Sequence, residues 1–293
     1  MNIAICAICK QENLYLRDWV SYYYEMGVSN IILYDNNDIN GEYPQNVIGD
    51  YIHNGFVIYK DVRGKYRHQV EAYTQCYKEY KTNYDWIGFL DVDEYWYLSP
   101  NLTFEDFFSE ERLPDAIGLF INWLNYGDNG KLHYENKPVQ ERFSKPTMPV
   151  DFISNNDFAN SVCKLFVKCY KNEADVMFYD ANAFDYYYYK DEPYKMYFVD
   201  GTEYGERDKL FDFSMSYIKH YRTLTIEEFL YRRFGRRGYA DNASRHSKEE
   251  IMQYFWDQNE WTEEKQKIVD DFFRSFEVVN DEPIRTKRIF DEE

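Results

Sequence analysis

The chain has 293 residues, 44% of them hydrophobic and 20% aromatic, and carries a formal net charge of −18 at pH 7. This composition provides for a sizeable core and excludes wholesale disorder, and the negative charge argues against general nucleic-acid binding because the phosphate backbone would repel the protein. We find no stretch that is long and apolar enough to span a bilayer.

Strands and helices alternate in the first third of the sequence. The predicted strands cover residues 3–8, 30–34, 56–59 and 86–90, and the predicted helices cover residues 14–26 and 66–80. Such alternation predicts an α/β fold with a mostly parallel, Rossmann-like central sheet and flanking helices. Ligands of these sheets bind beyond the carboxyl ends of the strands. The polar clusters that lie at this edge cover residues 10–13, 35–38 and 91–94.

The rest of the sequence is less regular. We predict strands over residues 116–121 and 162–167, a loop-rich stretch over 126–160, and helices over 226–234, 248–256 and 263–276. No clean linker or internal repeat interrupts the chain. We therefore predict one main domain over residues 1–238 and a C-terminal helical extension over residues 239–293 that packs on the same unit.

An acidic triplet follows the fourth predicted strand. Asp91, Asp93 and Glu94 stand directly after the apolar residues 86–90, and Asp91 and Asp93 would point the same way if the local chain stays extended. Two hard oxygen donors aimed at one point suit Mg²⁺ or Mn²⁺. Such an ion can bridge the phosphates of a nucleotide diphosphate and offset charge on the leaving group. The alternative is an acidic turn after a strand, because Asp-x-Asp triplets are common by chance.

His220 is the candidate for a third contact to the metal or the phosphates. Neutral imidazole ligates these metals, and the imidazolium can bind phosphate. The alternative is a structural or merely exposed histidine.

The main basic cluster of this acidic chain consists of four arginines: Arg232, Arg233, Arg236 and Arg237. Three interpretations stay open, namely diphosphate binding, peripheral docking on an anionic membrane surface, and a solvated helix end. The N-terminus lacks the basic region and cleavage site of a signal peptide. We therefore expect a cytoplasmic protein whose contact with the membrane, if any, is peripheral and on its inner face.

The five cysteines are scattered along the chain at positions 6, 9, 76, 163 and 169. Cys6 and Cys9 have a zinc-like spacing, but no second pair follows, and both lie in an apolar strand-like run. We expect reduced, buried thiols, which fit a reducing compartment.

Several segments in order resemble the GT-A-fold glycosyltransferases of the glycosyltransferase family 2 and family 92 type. Phe89–Tyr95, for example, is similar to that group's F-x-D-x-D-E-F. The other matching segments are Lys10–Tyr23, Gly27–Asn36, Trp123–Gly130, Glu141–Phe143 and His220–Phe229. The matches run from residue 3 to about residue 238, which is most of the chain. Departures from the group's patterns occur at Gln11, Asp128, Asn129 and Leu224.

The resemblance implies a GT-A fold, a divalent metal ion, and sugar transfer from a nucleotide-sugar donor to a saccharide or lipid-linked saccharide acceptor. It implies roles near the nucleoside for Lys10, Glu12 and Asp35. It implies roles at the metal and diphosphate for Asp91, Asp93 and His220. UDP is the expected nucleotide, and surface polysaccharide or glycan synthesis is the expected setting.

We assign further roles as hypotheses, from where residues lie relative to the strand ends. Arg63 and Gln69, beside the third strand end, are expected to touch the donor sugar or phosphate. The resemblance favours inversion, which needs a base on the acceptor side, and Asp128 and Glu141 are the candidates. Their alternative role is that of a loop charge or salt bridge.

Two other function classes stay open at this point. A metal-dependent phosphohydrolase or nucleotidyltransferase also uses paired carboxylates, but it would release products without any sugar acceptor. A non-catalytic carbohydrate-binding protein would stack aromatic side chains on sugar and would need neither a metal nor a nucleotide.

Overall fold

The computed structural model describes residues 1–65, 68–150, 153, 162–169, 175–180, 183–187, 195–203, 213–235 and 247–277. The chain forms two compact units. Unit 1 comprises Met1–Asn125 and Met148–His220, and unit 2 comprises Tyr126–Thr147 and Tyr221–Glu293. The predicted boundary between residues 238 and 239 lies outside the described residues and stays a prediction.

Unit 1 is a mixed α/β structure. Its strands are β1 (Ile3–Cys9), β2 (Asn30–Asp35), β3 (Val57–Asp61), β4 (Trp86–Phe89), β5 (Glu94–Leu98), β6 (Ala116–Asn125), β7 (Cys163–Lys168), β8 (Asp175–Asp180), β9 (Ala183–Tyr187), β10 (Lys195–Phe198) and β11 (Ser216–His220). Its helices are α1 (Asn13–Met26), α2 (Gln45–His53), α3 (Gln69–Tyr80) and α4 (Phe104–Phe107).

The central sheet has the strand order β3-β2-β1-β4-β7-β6-β11-β5, and β10 pairs with β6. Strands β3, β2, β1 and β4 are all parallel, as the alternating sequence pattern predicts. Strand β7 then enters antiparallel between β4 and β6, and β5 lies antiparallel to β11. Strands β8 and β9 form a separate hairpin. The predicted α/β fold with flanking helices is confirmed.

Hydrophobic periodicity explains why these segments fold as they do. All seven residues of β1 are buried, as a central parallel strand with both faces covered requires. Helix α1 buries one stripe that includes Leu16, Trp19 and Tyr23. It ends at Gly27, whose φ of +87° is the left-handed conformation that glycine adopts without strain. Helix α3 packs Tyr73 and Cys76 into the core with apolar residues of β1 and β4.

The helices described in unit 2 are α5 (Val139–Arg142), α6 (Ile226–Leu230), α7 (Lys248–Trp256) and α8 (Glu263–Glu277), with a π-helical turn over Tyr231–Gly235. Its core joins Ile226, Phe229, Phe255 and Val269 from three of these helices. Helix α6 begins at Thr225, which forms a reciprocal capping box with Glu228.

The cysteines and the helices allow two more expectations from the sequence to be compared with the structure. The five cysteines are free thiols, and Cys6, Cys9 and Cys76 are buried as expected, whereas Cys163 and Cys169 are half-buried. None of the helices in the described part of the chain combines the length and apolar character that crossing a bilayer would demand.

Candidate active site

The acidic segment after β4 forms a tight turn. The backbone N–H of Glu94 donates to the carbonyl of Asp91 at 3.0 Å, and the backbone N–H of Asp91 donates to Glu94 Oε2 at 2.9 Å. The extended local chain that would point Asp91 and Asp93 the same way is therefore not what forms. The turn instead brings Asp93 and Glu94 to one side and leaves Asp91 to a different set of partners.

The order of the sheet builds a row of polar side chains beside this turn. His220, at the end of β11, is the cross-strand partner of Glu94 on β5 and of Asn125 on β6. Cross-strand partners share a face of the sheet, so these three residues from distant parts of the sequence stand side by side. The backbone of Glu94 is further fixed by α1, since Trp19 Nε1 and Tyr23 Oη donate to its carbonyl at 2.8 and 3.0 Å.

Asp93, Glu94 and His220 form the candidate metal site. One ligand atom from each residue lies within 4.8 Å of the others, and His220 Nε2 is 3.8 Å from Asp93 Oδ1 and 3.9 Å from Glu94 Oε1. Glu94 is fully buried, and its Oε1 accepts no hydrogen bond from any residue that the structure describes. A buried carboxylate oxygen without a donor is costly, so a cation is its natural partner. Two carboxylates and an imidazole fit a divalent ion such as Mn²⁺.

Asn125 sets the orientation of the histidine. His220 Nδ1 lies 3.1 Å from Asn125 Oδ1, and because an amide oxygen only accepts, the contact holds the proton on Nδ1. The lone pair of Nε2 then faces Asp93 and Glu94, as a metal ligand requires. Trp123 packs against the imidazole with ring centroids 4.2 Å apart.

Burial raises the pKa of the Glu94 carboxyl well above its usual value, and the neighbouring Lys164 ammonium opposes this shift. Lys164 Nζ lies 2.8 Å from Asp91 Oδ2 and 3.3 Å from Glu94 Oε2, and its side chain is fully buried. The charge of Lys164 thus favours the ionised form of Glu94 that a metal ligand needs.

Asp91 is engaged by donors on both carboxylate oxygens. Oδ1 accepts hydrogen bonds from Gln69 Nε2 at 2.9 Å and from Tyr73 Oη at 3.3 Å, and Oδ2 faces Lys164. The structure therefore brings Asp93 and His220 together with Glu94, and it places Gln69 against Asp91. The role of Asp91 as a ligand of the metal or diphosphate, and that of Gln69 at the donor, stay predictions.

A second polar network lies at the carboxyl ends of β2 and β3. Asp35 is fully buried. Its Oδ1 accepts from the side chain and backbone of Asn37 at 2.6 and 3.0 Å, and its Oδ2 accepts from Tyr59 Oη at 2.6 Å and Arg63 Nε at 2.8 Å. The Arg63 guanidinium also stacks 3.9 Å above the ring of Tyr43. The Asp35 carboxylate is therefore buried beneath its own partners, and one of them is the Arg63 guanidinium.

Lys10 and Glu12 lie at the neighbouring end of β1. Both are buried, and Lys10 Nζ donates to Asp38 Oδ1 at 2.7 Å. The carbonyl of Glu12 accepts the first backbone hydrogen bonds of α1, which places Glu12 at the amino end of that helix. Lys10, Glu12 and Asp35 thus share the strand-end edge that the sequence predicts for them.

Asp128 and Glu141 belong to unit 2 and have contrasting surroundings. Asp128 is 4% exposed, its Oδ1 accepts from the backbone N–H of Gly130 at 2.8 Å, and its Oδ2 lies 2.5 Å from Lys265 Nζ. Glu141 is exposed on α5. The geometry therefore favours a structural ion pair for Asp128 and leaves Glu141 accessible.

The basic cluster is described in part. Arg232 Nη1 lies 3.5 Å from the carbonyl of Tyr221, and the Arg233 guanidinium stands 5.7 Å from the ring of Phe229. Arg236 and Arg237 lie outside the described residues. The three interpretations of this cluster stay predictions.

Sequence reasoning missed Lys164 and Asn125. Lys164 precedes the apolar run Leu165–Val167 within β7, and a charged residue inside such a strand is a signal that could have identified it. Asn125 carries no comparable signal, because its pairing with His220 depends on the order of the strands.

Comparisons with known proteins point to one family. The sequence model of glycosyltransferase family 92 matches residues 2–228. Relatives include a family 92 protein of Ricinus communis, 29% identical over 134 residues, which are 45% of this chain and 24% of that protein. One from Oryza sativa subsp. japonica is 22% identical over 139 residues, which are 47% of this chain and 24% of that protein. The chain thus covers about a quarter of the length of these relatives.

Among solved structures, the crystal structure of S. aureus TarS 1–349 matches with a TM-score of 0.32 and 11% identity, over 46% of this chain and 39% of that one. A further S. aureus TarS structure matches with a TM-score of 0.30 and 12% identity, over 46% of this chain and 23% of that one.

Proposed function

The chain belongs to glycosyltransferase family 92, and from that membership we propose that it moves a sugar from a nucleotide-diphosphate donor to a hydroxyl of a saccharide acceptor. The observation that carries the proposal is the Asp93–Glu94–His220 group, in which the buried Glu94 Oε1 accepts no hydrogen bond from the described part of the chain. We also propose that the fold is a GT-A fold and that the chain is related to glycosyltransferase family 2. Both proposals are supported by the resemblance of Phe89–Tyr95 and the other matching segments to that group of enzymes.

Asp93, Glu94 and His220 would hold a divalent metal ion. Such an ion, when bound, supplies the positive charge that a donor diphosphate and a departing nucleotide need in an acidic protein. The backbone of Glu94 is held by its pairing with β11 and by hydrogen bonds from α1, whereas the Asp93 side chain is 15% exposed. The rigid buried ligands fix the site, and Asp93 reaches toward solvent, from which a donor enters.

We assign the donor nucleoside to the ends of β1, β2 and β3. Lys10, Glu12 and the Arg63–Tyr43 stack are the groups proposed to contact it, with Asp35 acting as a positioning residue for Arg63. A guanidinium held by a buried carboxylate is pre-organised and loses little entropy on binding a ligand. UDP is the nucleotide proposed, by the resemblance alone.

On the acceptor side we propose an inverting transfer with Glu141 as the first carboxylate to test as base. The proposed acceptor is a saccharide, free or lipid-linked, in the synthesis of a surface polysaccharide or glycan. The proposed location is the cytoplasm. We further propose that the basic cluster, which includes Arg232 and Arg233, makes a peripheral contact with the membrane.

The test is a thermal-shift screen of nucleoside diphosphates with and without Mn²⁺, followed by detection of released nucleotide in the presence of candidate saccharide acceptors. We expect stabilisation by one nucleotide only when Mn²⁺ is present, and loss of this effect in Asp93→Asn. The exposed carboxylate variant Glu111→Gln is the control and should behave as the wild type. Nucleotide release that needs no saccharide would indicate a phosphohydrolase, and binding of sugar without metal or nucleotide would indicate a carbohydrate-binding protein.

A further inference from the structure

Lys164 is a fully buried lysine at the candidate metal site. It lies on β7, one residue before Leu165, which pairs with Phe89 at the end of β4. Its ammonium therefore stands where β4 gives way to the acidic turn, 2.8 Å from Asp91 Oδ2 and 3.3 Å from Glu94 Oε2. Lysine is rarely buried unless it is paired, and here it is paired with two carboxylates that belong to one site.

The contacts of Lys164 divide the acidic residues into two groups. Asp91 receives Lys164 on one oxygen and the donors Gln69 and Tyr73 on the other. Glu94 turns Oε2 toward Lys164 and the backbone of Asp91, which leaves Oε1 directed at Asp93 and His220. Without the ammonium, Oε2 would keep the hydrogen bond from the backbone N–H of Asp91 but would lose its positively charged neighbour.

The charges at the site lead to the same conclusion. Three carboxylates and one ammonium leave two net negative charges, with His220 neutral in the tautomer that Asn125 favours. That balance matches one divalent cation. Three carboxylates alone would be over-charged for a single ion and costly to bury.

We propose that Lys164 is a built-in counter-ion, which neutralises Asp91 so that the site accepts one divalent cation on Asp93, Glu94 and His220. This inference rests on the proposed function, because it takes the cation site as given. It adds a residue from a strand far along the chain to that site, and it gives Asp91 the role of partner to Lys164.

The test compares Mn²⁺ binding, measured by the electron paramagnetic resonance signal of free Mn²⁺, in four proteins: wild type, Asp91→Asn, Lys164→Met, and the double variant. Asp91→Asn removes the nearer of the two carboxylates that face the ammonium and leaves its charge beside the ligand Glu94, so the Mn²⁺ affinity should fall about tenfold or more. The double variant restores the charge balance with neutral groups, which buried sites tolerate. Its affinity should return to within about threefold of the wild type. Lys168→Met, on the same strand and paired at the surface with Glu110, is the control and should bind Mn²⁺ as the wild type does.

The outcomes separate the inference from the proposed function. A double variant that binds Mn²⁺ no better than Asp91→Asn overturns the counter-ion role of Lys164, even if Lys164→Met alone fails to fold. A wild type that does not bind Mn²⁺ overturns the cation site of the proposed function, and this inference with it. One Mn²⁺ per chain in the wild type together with recovery in the double variant supports both.

Discussion

Arg142 and Glu228 form a buried ion pair in unit 2, with Arg142 Nη1 2.9 Å from both carboxylate oxygens of Glu228. Both side chains are at most 1% exposed. The pair joins two of the segments by which the sequence resembles its family, Glu141–Phe143 and His220–Phe229. Glu228 also accepts from Thr225 at the start of α6, so a single carboxylate anchors α5 and caps α6. Both motifs therefore contribute residues to one buried interaction that stabilises unit 2.

We expect Glu228→Ala to lower the free energy of unfolding by roughly 3–5 kcal/mol, because the variant leaves the Arg142 guanidinium buried without its carboxylate. Urea unfolding monitored by tryptophan fluorescence measures the change. The control is Glu135→Gln, which removes a partner of the 61% exposed Lys137 and should leave the free energy of unfolding close to that of the wild type. Equal losses in the two variants would contradict the role assigned to the buried pair.

Asn125 offers a test of the histidine's orientation. Replacing Asn125 with Leu removes the acceptor that holds the proton on His220 Nδ1, so Mn²⁺ affinity should fall about 10- to 100-fold. Isothermal titration calorimetry measures the affinity. The control is Asn122→Leu, which removes a buried amide from the same strand; Nδ2 of this amide lies 3.2 Å from Cys163 Sγ. If both variants keep the affinity of the wild type, Asn125 does not orient the metal ligand.

The parts of the fold that sequence predicts are those encoded by local periodicity. Strands β1 to β4 and helices α1 and α3 stand within a few residues of their predicted positions, since each combines a buried apolar run or stripe with a clear end. Strand β5 was missed because it begins at a buried carboxylate, Glu94, directly after an acidic turn. Helix α2 was missed because Ile48 is its one buried residue among those described, so it shows little apolar periodicity.

The candidate site was predictable only in part, because some of its residues meet through the order of the strands and not through a local sequence pattern. The acidic triplet is a local feature, and its place after a buried strand indicates a ligand-binding edge. Which carboxylate meets His220 depends on the strand order β4-β7-β6-β11-β5, which brings Lys164, Asn125 and His220 to Glu94 from distant positions. Local patterns do not encode that order.

The Asp35–Arg63 pair gives a prediction for the donor end of the site. Asp35→Asn should lower the free energy of unfolding by roughly 3–5 kcal/mol, since it breaks a buried ion pair with one partner left behind. The double variant Asp35→Asn/Arg63→Met should recover part of this loss, as coupled neighbours do. Urea unfolding measures both. The control is Asp50→Asn, which removes the partner of the 55% exposed Arg17 and should leave the free energy of unfolding close to that of the wild type.

The same double variant tests whether Arg63 serves the donor. Because it removes the pre-organised guanidinium while relieving the buried charge, the affinity for UDP in the presence of Mn²⁺ should fall at least about tenfold. Calorimetric titration of the folded double variant measures the effect. An unchanged affinity would restrict the Asp35–Arg63 pair to a structural role.

The base is tested by contrasting the two carboxylates of unit 2. Glu141 is exposed, so Glu141→Gln should leave the free energy of unfolding within about 0.5 kcal/mol of the wild type. If Glu141 is the base, turnover should fall about 10²- to 10⁴-fold with little change in affinity for the donor.

Asp128 is buried against Lys265, so Asp128→Asn should destabilise the protein, and Lys265→Met should do the same, while turnover per folded molecule stays near that of the wild type. Urea unfolding and steady-state kinetics on each variant measure both effects. Full turnover in Glu141→Gln would remove Glu141 as the base, and a collapse of turnover in a stable Asp128→Asn would assign that role to Asp128 despite its ion pair.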